Sequence, residues 1–192
     1  MEKLVFYSGS SFAPPTRGVY ESGSKSNYTE LETFGNWRRM LSNFDTSETF
    51  TWDGNDLGFK FPPGTRWRSI EHVFQGAKLS LVDIYHGMRF TEQYGGFLGN
   101  GDGHLAKLNG RLIRLNAVQL SVWDSIKERV MESAAYAKYT QNINGTWARM
   151  LRSTKNAELW HIQRQRGRPS LLVRFHHLEL IRLMLPDGPP SV

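Results

Sequence analysis

Glu71, Gln75 and Lys78 place a carboxylate, an amide and an amine along one stripe of a helix that the sequence predicts over residues 67–78. At about 100° per residue, Gln75 lies about 40° from Glu71, and Lys78 lies about 20° to its other side. The opposite arc is apolar and holds Val73, Phe74, Ala77 and Leu81. A carboxylate can act as a general acid or base, and a lysine amine can bind a phosphate or act as a nucleophile. One face can therefore pack while the other does chemistry, although many polar helix edges only face water.

Composition limits what this helix can belong to. The 192 residues are 39% hydrophobic and 12% aromatic, which predicts one globular domain with a substantial core. The formal net charge of +6 favours a partner that carries phosphates, although such a charge also serves solubility alone. The chain has no cysteine, which excludes disulfides and thiolate zinc sites. The adjacent His176 and His177 point in different directions on a helix, so neither a metal site nor a cofactor is predicted.

Location and membrane contact follow from the apolar runs. Only four apolar residues precede Ser8, which is too short for the core of a signal peptide, and no later stretch reaches membrane-spanning length. We therefore expect no membrane partner and a cytoplasmic location, or a nuclear one if the source has a nucleus. The oligomeric state is not predictable from these features.

The segments around the helix predict an α+β fold, a mainly helical single domain over residues 1–192 with a small β-sheet or hairpin near the N-terminus. Residues 4–7 predict a short strand, and most of the remainder of residues 1–28 is predicted to be loop. Aromatic and polar residues alternate over 49–61 around a turn at 53–55, which is typical of a hairpin that leads into Trp67.

The second half of the chain predicts loops and long helices. Residues 93–111 are dense in glycine and are predicted to be a loop, with a phosphate cradle as the alternative. Ser121 with Asp124 predicts a capping box that starts a helix ending near residue 142. Pro169 predicts the start of a helix over residues 170–185, and residues 186–192 are predicted to be a tail.

Several motifs occur in an order that resembles the NADAR family. They are LSNF at 41–44, W-x-S-x-E-H-x-x-Q-x-x-K at 67–78, Gly110 with Arg111, Trp123, VMESAAYAKYTQN at 130–142, and Leu151 with Thr154. The resemblance spans residues 35–160. It implies a mainly helical α+β domain that acts as an N-glycosidase on ADP-ribose-like or ribosyl-phosphate compounds.

The resemblance implies two substrate classes and assigns roles to the helix. Our first hypothesis is a hydrolase that removes ADP-ribose from ADP-ribosylated guanine bases of nucleosides, DNA or RNA. The alternatives are an N-glycosidase acting on phosphorylated intermediates of riboflavin biosynthesis and a non-catalytic module that binds ADP-ribose or nucleic acid. Glu71 is then expected to be the general acid or base. Lys78 is expected to form a Schiff base with the ring-opened sugar, to bind a phosphate, or to be only solvated.

Further positions of the same motifs are predicted to bind substrate, each with a core or surface role as the alternative. Gln75 is expected to hydrogen-bond the substrate or to hold Glu71. Trp123 stacks on a base or belongs to the core, and Arg111 contacts a diphosphate. The other predicted binding residues are Ser42, Asn43, Phe44, Trp67, Gly110, Glu158 and Trp160. The basic run at residues 163–168 predicts a surface for a nucleic-acid backbone, with a solvated face as the alternative.

Overall fold

Two units divide the chain in the computed structural model, which describes residues 1–10, 12–163, 167 and 170–186. The first unit consists of residues 1–42 and 142–192, and the second consists of residues 43–141. No helix within the described ranges is long and apolar enough to cross a membrane. The prediction of a single domain stays a prediction, and each unit is described by itself.

Among the described residues, short strands lie near both ends of the chain, and a run of six helices lies between the third and fourth strands. The helices are α1 (Thr29–Thr33), α2 (Trp37–Met40), α3 (Ile70–Ser80), α4 (Ile84–Met88), α5 (Gly96–Gly99), α6 (Gly103–Asn109), α7 (Ala117–Thr140), α8 (Thr146–Ser153) and α9 (His176–Met184). The strands are β1 (Lys3–Phe6), β2 (Phe50–Thr51), β3 (Arg66–Trp67), β4 (Glu158–Gln163) and β5 (Leu171–Arg174). Single 3₁₀ turns cover Lys25–Tyr28 and Asn55–Leu57. The α+β, mainly helical class is therefore confirmed.

The first unit contains a three-stranded sheet that joins the two ends of the chain. Strand β1 pairs in parallel with β4, with Lys3 opposite Glu158, and β5 pairs antiparallel with β4. The prediction of one helix over residues 170–185 is therefore wrong in its first half, because residues 171–174 form a strand and α9 begins only at His176. The apolar spacing is compatible with both structures over so short a run. Pro169 lies outside the described residues, as do residues 187–192 of the predicted tail.

The second unit is built around α3, against which α4, α6 and α7 pack. Strand β2 pairs antiparallel with β3, so that Phe50 lies opposite Trp67. The predicted hairpin over 49–61 is therefore corrected, because its second strand lies beyond residue 61. The aromatic residues that suggested it pack as rings instead, with Phe59 and Phe61 at 5.7 and 5.9 Å from Trp52.

Two further predictions for the second unit, the start of α7 and the glycine-rich loop, also differ from the structure. Helix α7 begins at Ala117, capped by Asn116 and Gln119, which exchange two side-chain to backbone hydrogen bonds of 2.9 Å. The capping box predicted at Ser121 is therefore wrong, since an earlier Asn-x-x-Gln performs that role. The predicted glycine-rich loop contains α5 and α6. Asp102 caps α6 by accepting a hydrogen bond from the Leu105 amide at 2.8 Å.

Candidate active site on helix α3

The start of α3 is fixed by Ser69 and His72. The Ser69 hydroxyl accepts the His72 backbone N–H at 3.2 Å and lies 2.8 Å from His72 Nδ1. The other ring nitrogen, Nε2, lies 3.3 Å from the Leu98 carbonyl oxygen. Burial lowers the pKa of His72 to about 4, so the imidazole is neutral and can bridge a hydroxyl and a carbonyl. These two motif residues therefore act as a cap and an anchor, which sets the direction of the neighbouring Glu71.

The Trp67 side chain packs against α3. Its side chain is fully buried, and its indole N–H donates to the Trp52 carbonyl at 2.7 Å. Helix α3 approaches it closely, because a Cβ placed on Gly76 would lie 2.5 Å from Trp67 Cζ3. Trp67 is therefore part of the core, and its predicted part in substrate binding stays a prediction.

Two of the three polar residues on the stripe of α3 are buried, and the third, Lys78, is half-buried. Glu71 is 6% exposed and Gln75 is 5% exposed. The Gln75 amide donates to Glu71 Oε1 at 2.7 Å, while the Glu71 backbone N–H donates to the Asn43 carbonyl at 2.9 Å. Burial raises the pKa of Glu71, and the Gln75 hydrogen bond opposes that rise. A carboxyl group that keeps its proton more readily than usual is suited to general acid catalysis.

Three cationic side chains influence this carboxyl group. Lys107, Lys78 and Arg111 each lower the pKa of Glu71 and so oppose the effect of burial. Burial in turn lowers the pKa of Lys78, while the charge of Glu71 raises it and that of Arg111 lowers it. The carboxyl and the amine are therefore electrostatically coupled, and each is shifted towards its neutral form by burial.

Gly110 closes the site at the end of α6. Its carbonyl oxygen accepts a hydrogen bond from the Lys78 amine. A Cβ placed on Gly110 would lie only 1.9 Å from Gln75 Oε1, so a side chain cannot be added there without moving the glutamine. This close approach explains why the position is a glycine, and it brings predicted residues 75, 78 and 110 together.

Phe44 and Trp123 have different surroundings in the same unit. The half-buried Phe44 ring lies 4.8 Å from the His104 ring and 5.3 Å from the Lys107 amine. Trp123 is only 5% exposed and packs edge-on against Phe74 at 4.7 Å. Trp123 therefore offers little free surface for stacking a base, whereas Phe44 lies among cationic and polar groups.

Two buried amide oxygens at the site are unsatisfied. Gln75 Oε1 and Asn43 Oδ1 have no hydrogen-bond partner among the described residues. The Asn43 amide nitrogen contacts Met131 Sδ at 2.8 Å, so it is the oxygen that lacks a partner. Since an unpaired buried acceptor costs about 1–3 kcal/mol, hydroxyl or amide donors of a ligand would stabilise both groups.

The other predicted binding residues belong to the first unit. Ser42 is fully buried, and its backbone N–H donates to the Arg39 carbonyl oxygen at 2.9 Å. Glu158 forms an ion pair with Arg174 at 2.9 Å and accepts the Trp160 indole N–H at 3.0 Å. These residues have contacts of their own within that unit, so their part in binding stays a prediction. The arginines at 164, 166 and 168 lie outside the described residues.

The predictions from sequence do not include Lys107 and His104. Both lie on α6, which is not predicted because the many glycines of residues 93–111 indicate a loop. The signal was nevertheless present, because Asp102 is a favoured N-cap residue and the sequence H-L-A-K-L that follows Gly103 contains good helix formers. A helix there places His104 and Lys107 three residues apart on one face.

Comparison with known proteins concerns the fold. Neither a family model nor a curated protein matches this sequence. The chain is similar to the NMR structure of the E. coli protein YbiA, with 18% identity, a TM-score of 0.46, and coverage of 96% of this chain and 86% of that chain. YbiA is a member of the NADAR family, which the ordered motifs of this chain resemble. What this site can do chemically depends on the side chains around Glu71.

Proposed function

We propose that this protein is an N-glycosidase that removes ADP-ribose from ADP-ribosylated guanine bases of nucleosides, DNA or RNA. The observation that carries the proposal is the pair on α3 formed by the buried Glu71, whose pKa burial raises, and the half-buried Lys78, whose pKa burial lowers. The ordered motifs supply the substrate class. Cleavage of an N-glycosidic bond requires positive charge to be tolerated at the anomeric carbon, a proton for the leaving nitrogen and a water.

Direct hydrolysis uses Glu71 as the acid. Protonated Glu71 donates to the departing guanine nitrogen as the bond to the anomeric carbon breaks. The resulting carboxylate then accepts a proton from the attacking water. The Gln75 amide holds the carboxyl group through both steps, because it bonds to Oε1 at 2.7 Å. Proton transfer by a positioned group of this kind typically contributes about 10²- to 10⁴-fold to the rate.

A covalent route uses Lys78 as well. The sugar ring opens when O4 of the ribose takes a proton from Glu71, and the guanine nitrogen forms an imine with C1 and gives its own proton to the Glu71 carboxylate. The neutral Lys78 amine adds to C1, the guanine amine leaves with a proton, and a lysine imine remains. Water adds to that imine and releases the sugar aldehyde, which closes its ring again, and the free amine. This exchange avoids direct expulsion of a poor leaving group.

The surrounding groups fit the remainder of such a substrate. Lys107 and Arg111 supply positive charge for a diphosphate, and Arg111 is exposed on the surface. The unpaired oxygens of Asn43 and Gln75 can accept hydrogen bonds from ribose hydroxyls.

A turnover assay tests the proposal. Wild-type protein is incubated with ADP-ribosylated guanosine and with ADP-ribosylated DNA, and free ADP-ribose is measured by chromatography and mass spectrometry. We expect release by wild type and almost none by Glu71→Gln. A parallel assay with a phosphorylated riboflavin precursor tests the alternative substrate class. Binding of ADP-ribose without release from any of these substrates, even at high protein concentration, would show a binding module and reject the proposal.

A further inference from the structure

A cavity lies in the unit of residues 43–141, beside the C-terminal half of α7. Its volume is about 400 Å³, and small-molecule sites are typically about 300–1,000 Å³. The lining side chains include Trp52, Asp53, Asp56, Ser133, Tyr136 and Gln141. None of the site residues around Glu71 lines it. The cavity is therefore a separate place for a ligand.

The cavity is negatively charged in a chain whose net charge is +6. Asp53 and Asp56 line it, and no lysine, arginine or histidine does so. Within the described ranges neither carboxylate forms an ion pair. One oxygen of Asp53 accepts the Asn55 amide at 3.1 Å, and one oxygen of Asp56 accepts the Ser133 hydroxyl at 3.4 Å. The second oxygen of each remains available to a cation with hydrogen-bond donors.

Aromatic surface accompanies these carboxylates. The Tyr136 side chain is 51% exposed beside the cavity, and Trp52 forms part of the lining. Aromatic faces attract ammonium and guanidinium groups and pack against aliphatic chains. A bare metal ion is less suited to such surroundings, and no group of three or more metal ligands occurs in the part of the chain that the structure describes. The combination favours an organic cation.

The walls of the cavity are held in place without a ligand. Gln141, the residue that follows α7, accepts the Thr51 backbone N–H at 2.8 Å and donates to the Thr51 carbonyl at 2.6 Å. The Trp52 indole N–H donates to the Ser133 hydroxyl at 3.0 Å. Gly54 has a φ of +66°, and a Cβ there would lie 2.5 Å from the Trp52 ring. Because both walls are already fixed, a ligand pays little to order them.

We propose that this cavity binds a small organic cation, with an ammonium or guanidinium group between the carboxylates of Asp53 and Asp56 and an aliphatic chain against Tyr136. The proposal does not depend on the glycosidase reaction, because the two sites share no residue. Linear polyamines and arginine derivatives both combine such a cationic group with an aliphatic chain.

Calorimetric titration of the full-length protein tests this assignment. The probes are spermidine, argininamide and tetramethylammonium, with magnesium chloride as a fourth titrant. We expect saturable binding of spermidine or argininamide at one site, and a loss of about tenfold or more in affinity in Asp53→Asn/Asp56→Asn. Glu128→Gln/Glu132→Gln removes the same charge from exposed positions of α7 and is expected to keep the wild-type Kd. Circular dichroism confirms that both variants are folded.

A second variant separates the aromatic contribution. Tyr136→Leu is expected to weaken binding of the organic cations about two- to fivefold while leaving the fold intact, because the side chain is half exposed. The proposal is overturned if no organic probe binds at millimolar concentration, or if the two charge variants lose affinity equally. Tighter binding of magnesium than of the organic cations would also reject it, because the cavity would then be a metal site.

Discussion

The side-chain amide of Gln75 donates to Oε1 of Glu71 at 2.7 Å, one turn along the same helix, and both side chains are almost completely buried. The bond occupies one carboxyl oxygen of Glu71, and it leaves Gln75 Oε1 without a partner among the described residues. In the proposed reaction, the pair therefore holds the carboxyl group that transfers the proton and keeps one acceptor for the substrate.

Glu71 is expected to be required for turnover. Glu71→Gln keeps the size and the hydrogen-bonding capacity of the side chain but cannot transfer a proton, so kcat should fall by about 10²- to 10⁴-fold. Gln75→Leu is expected to produce a smaller loss, because the carboxyl remains but is no longer held. Single-turnover measurements of ADP-ribose release determine both effects. Thermal melting serves as the control for folding, and wild-type kcat in Glu71→Gln would rule out the acid role.

The pH dependence of kcat/KM reports the protonation of the pair. On the covalent route, Lys78 must lose its proton and Glu71 must keep one. The profile of kcat/KM should therefore be a bell that rises up to the lower of the two pKa values and falls above the higher one. Burial raises the pKa of Glu71 above 4.5 and lowers the pKa of Lys78 below 10.5, so the two midpoints should be closer together than these ordinary values. The falling limb should be absent from the residual activity of Glu71→Gln.

Borohydride trapping distinguishes the covalent route from direct hydrolysis. Reduction of the lysine imine should add the mass of the sugar at Lys78, and Lys78→Arg should abolish this adduct because its guanidinium is not a nucleophile. Peptide mass spectrometry locates the modification. If Lys78→Arg turns over at the wild-type rate, Lys78 has no covalent role, and direct hydrolysis by Glu71 is the remaining route.

Gly110→Ala should damage both the fold and the site. The added Cβ would lie 1.9 Å from Gln75 Oε1, so the glutamine must move. We expect a loss of about 1–3 kcal/mol in the free energy of unfolding, measured with urea, and a lower kcat because Gln75 no longer holds Glu71. Gly35→Ala is the matched control, since a Cβ at Gly35 meets no atom within 4 Å. Equal behaviour of the two variants would contradict this account of position 110.

Acid should destabilise the protein through His72. Burial lowers its pKa to about 4 in the folded chain, from 6.5 in the reference state. Between these values the unfolded chain binds more protons, so stability is lost as pH falls from about 6.5 to about 4, by about 3 kcal/mol for this group. Urea titrations at both pH values should show a smaller difference in His72→Gln than in wild type. His86→Gln is the control and should retain the wild-type difference.

The alignment of Glu71, Gln75 and Lys78 on one stripe of α3 is predictable from sequence, because they are spaced by four and three residues. Burial of that stripe is not predictable from its own residues. It depends on the partners that pack on α3, and one of these, α6, lies in a segment whose glycines suggested a loop. Lys107, which acts on Glu71 and lies near Phe44, is missing from the predictions for the same reason.

Strand pairing shows the same limit. The short strand β1 is predicted from its apolar residues, but its partner β4 is distant along the chain, and no local pattern identifies it. Leu171 and Leu178 have apolar spacing compatible with one long helix. Only the pairing of β5 with β4 shows that the first of them belongs to a strand.

The register that places Lys3 beside Glu158 means that the sheet of the first unit cannot form until β4 has been synthesised. The ribosome makes all of residues 43–141 before any residue of β4. At about 5–20 residues per second, β1 waits on the order of ten seconds for its partner strand. Throughout that interval Leu4, Val5 and Phe6 lack the neighbour that buries them in the finished sheet, and by its end every residue of the second unit has been joined to the chain.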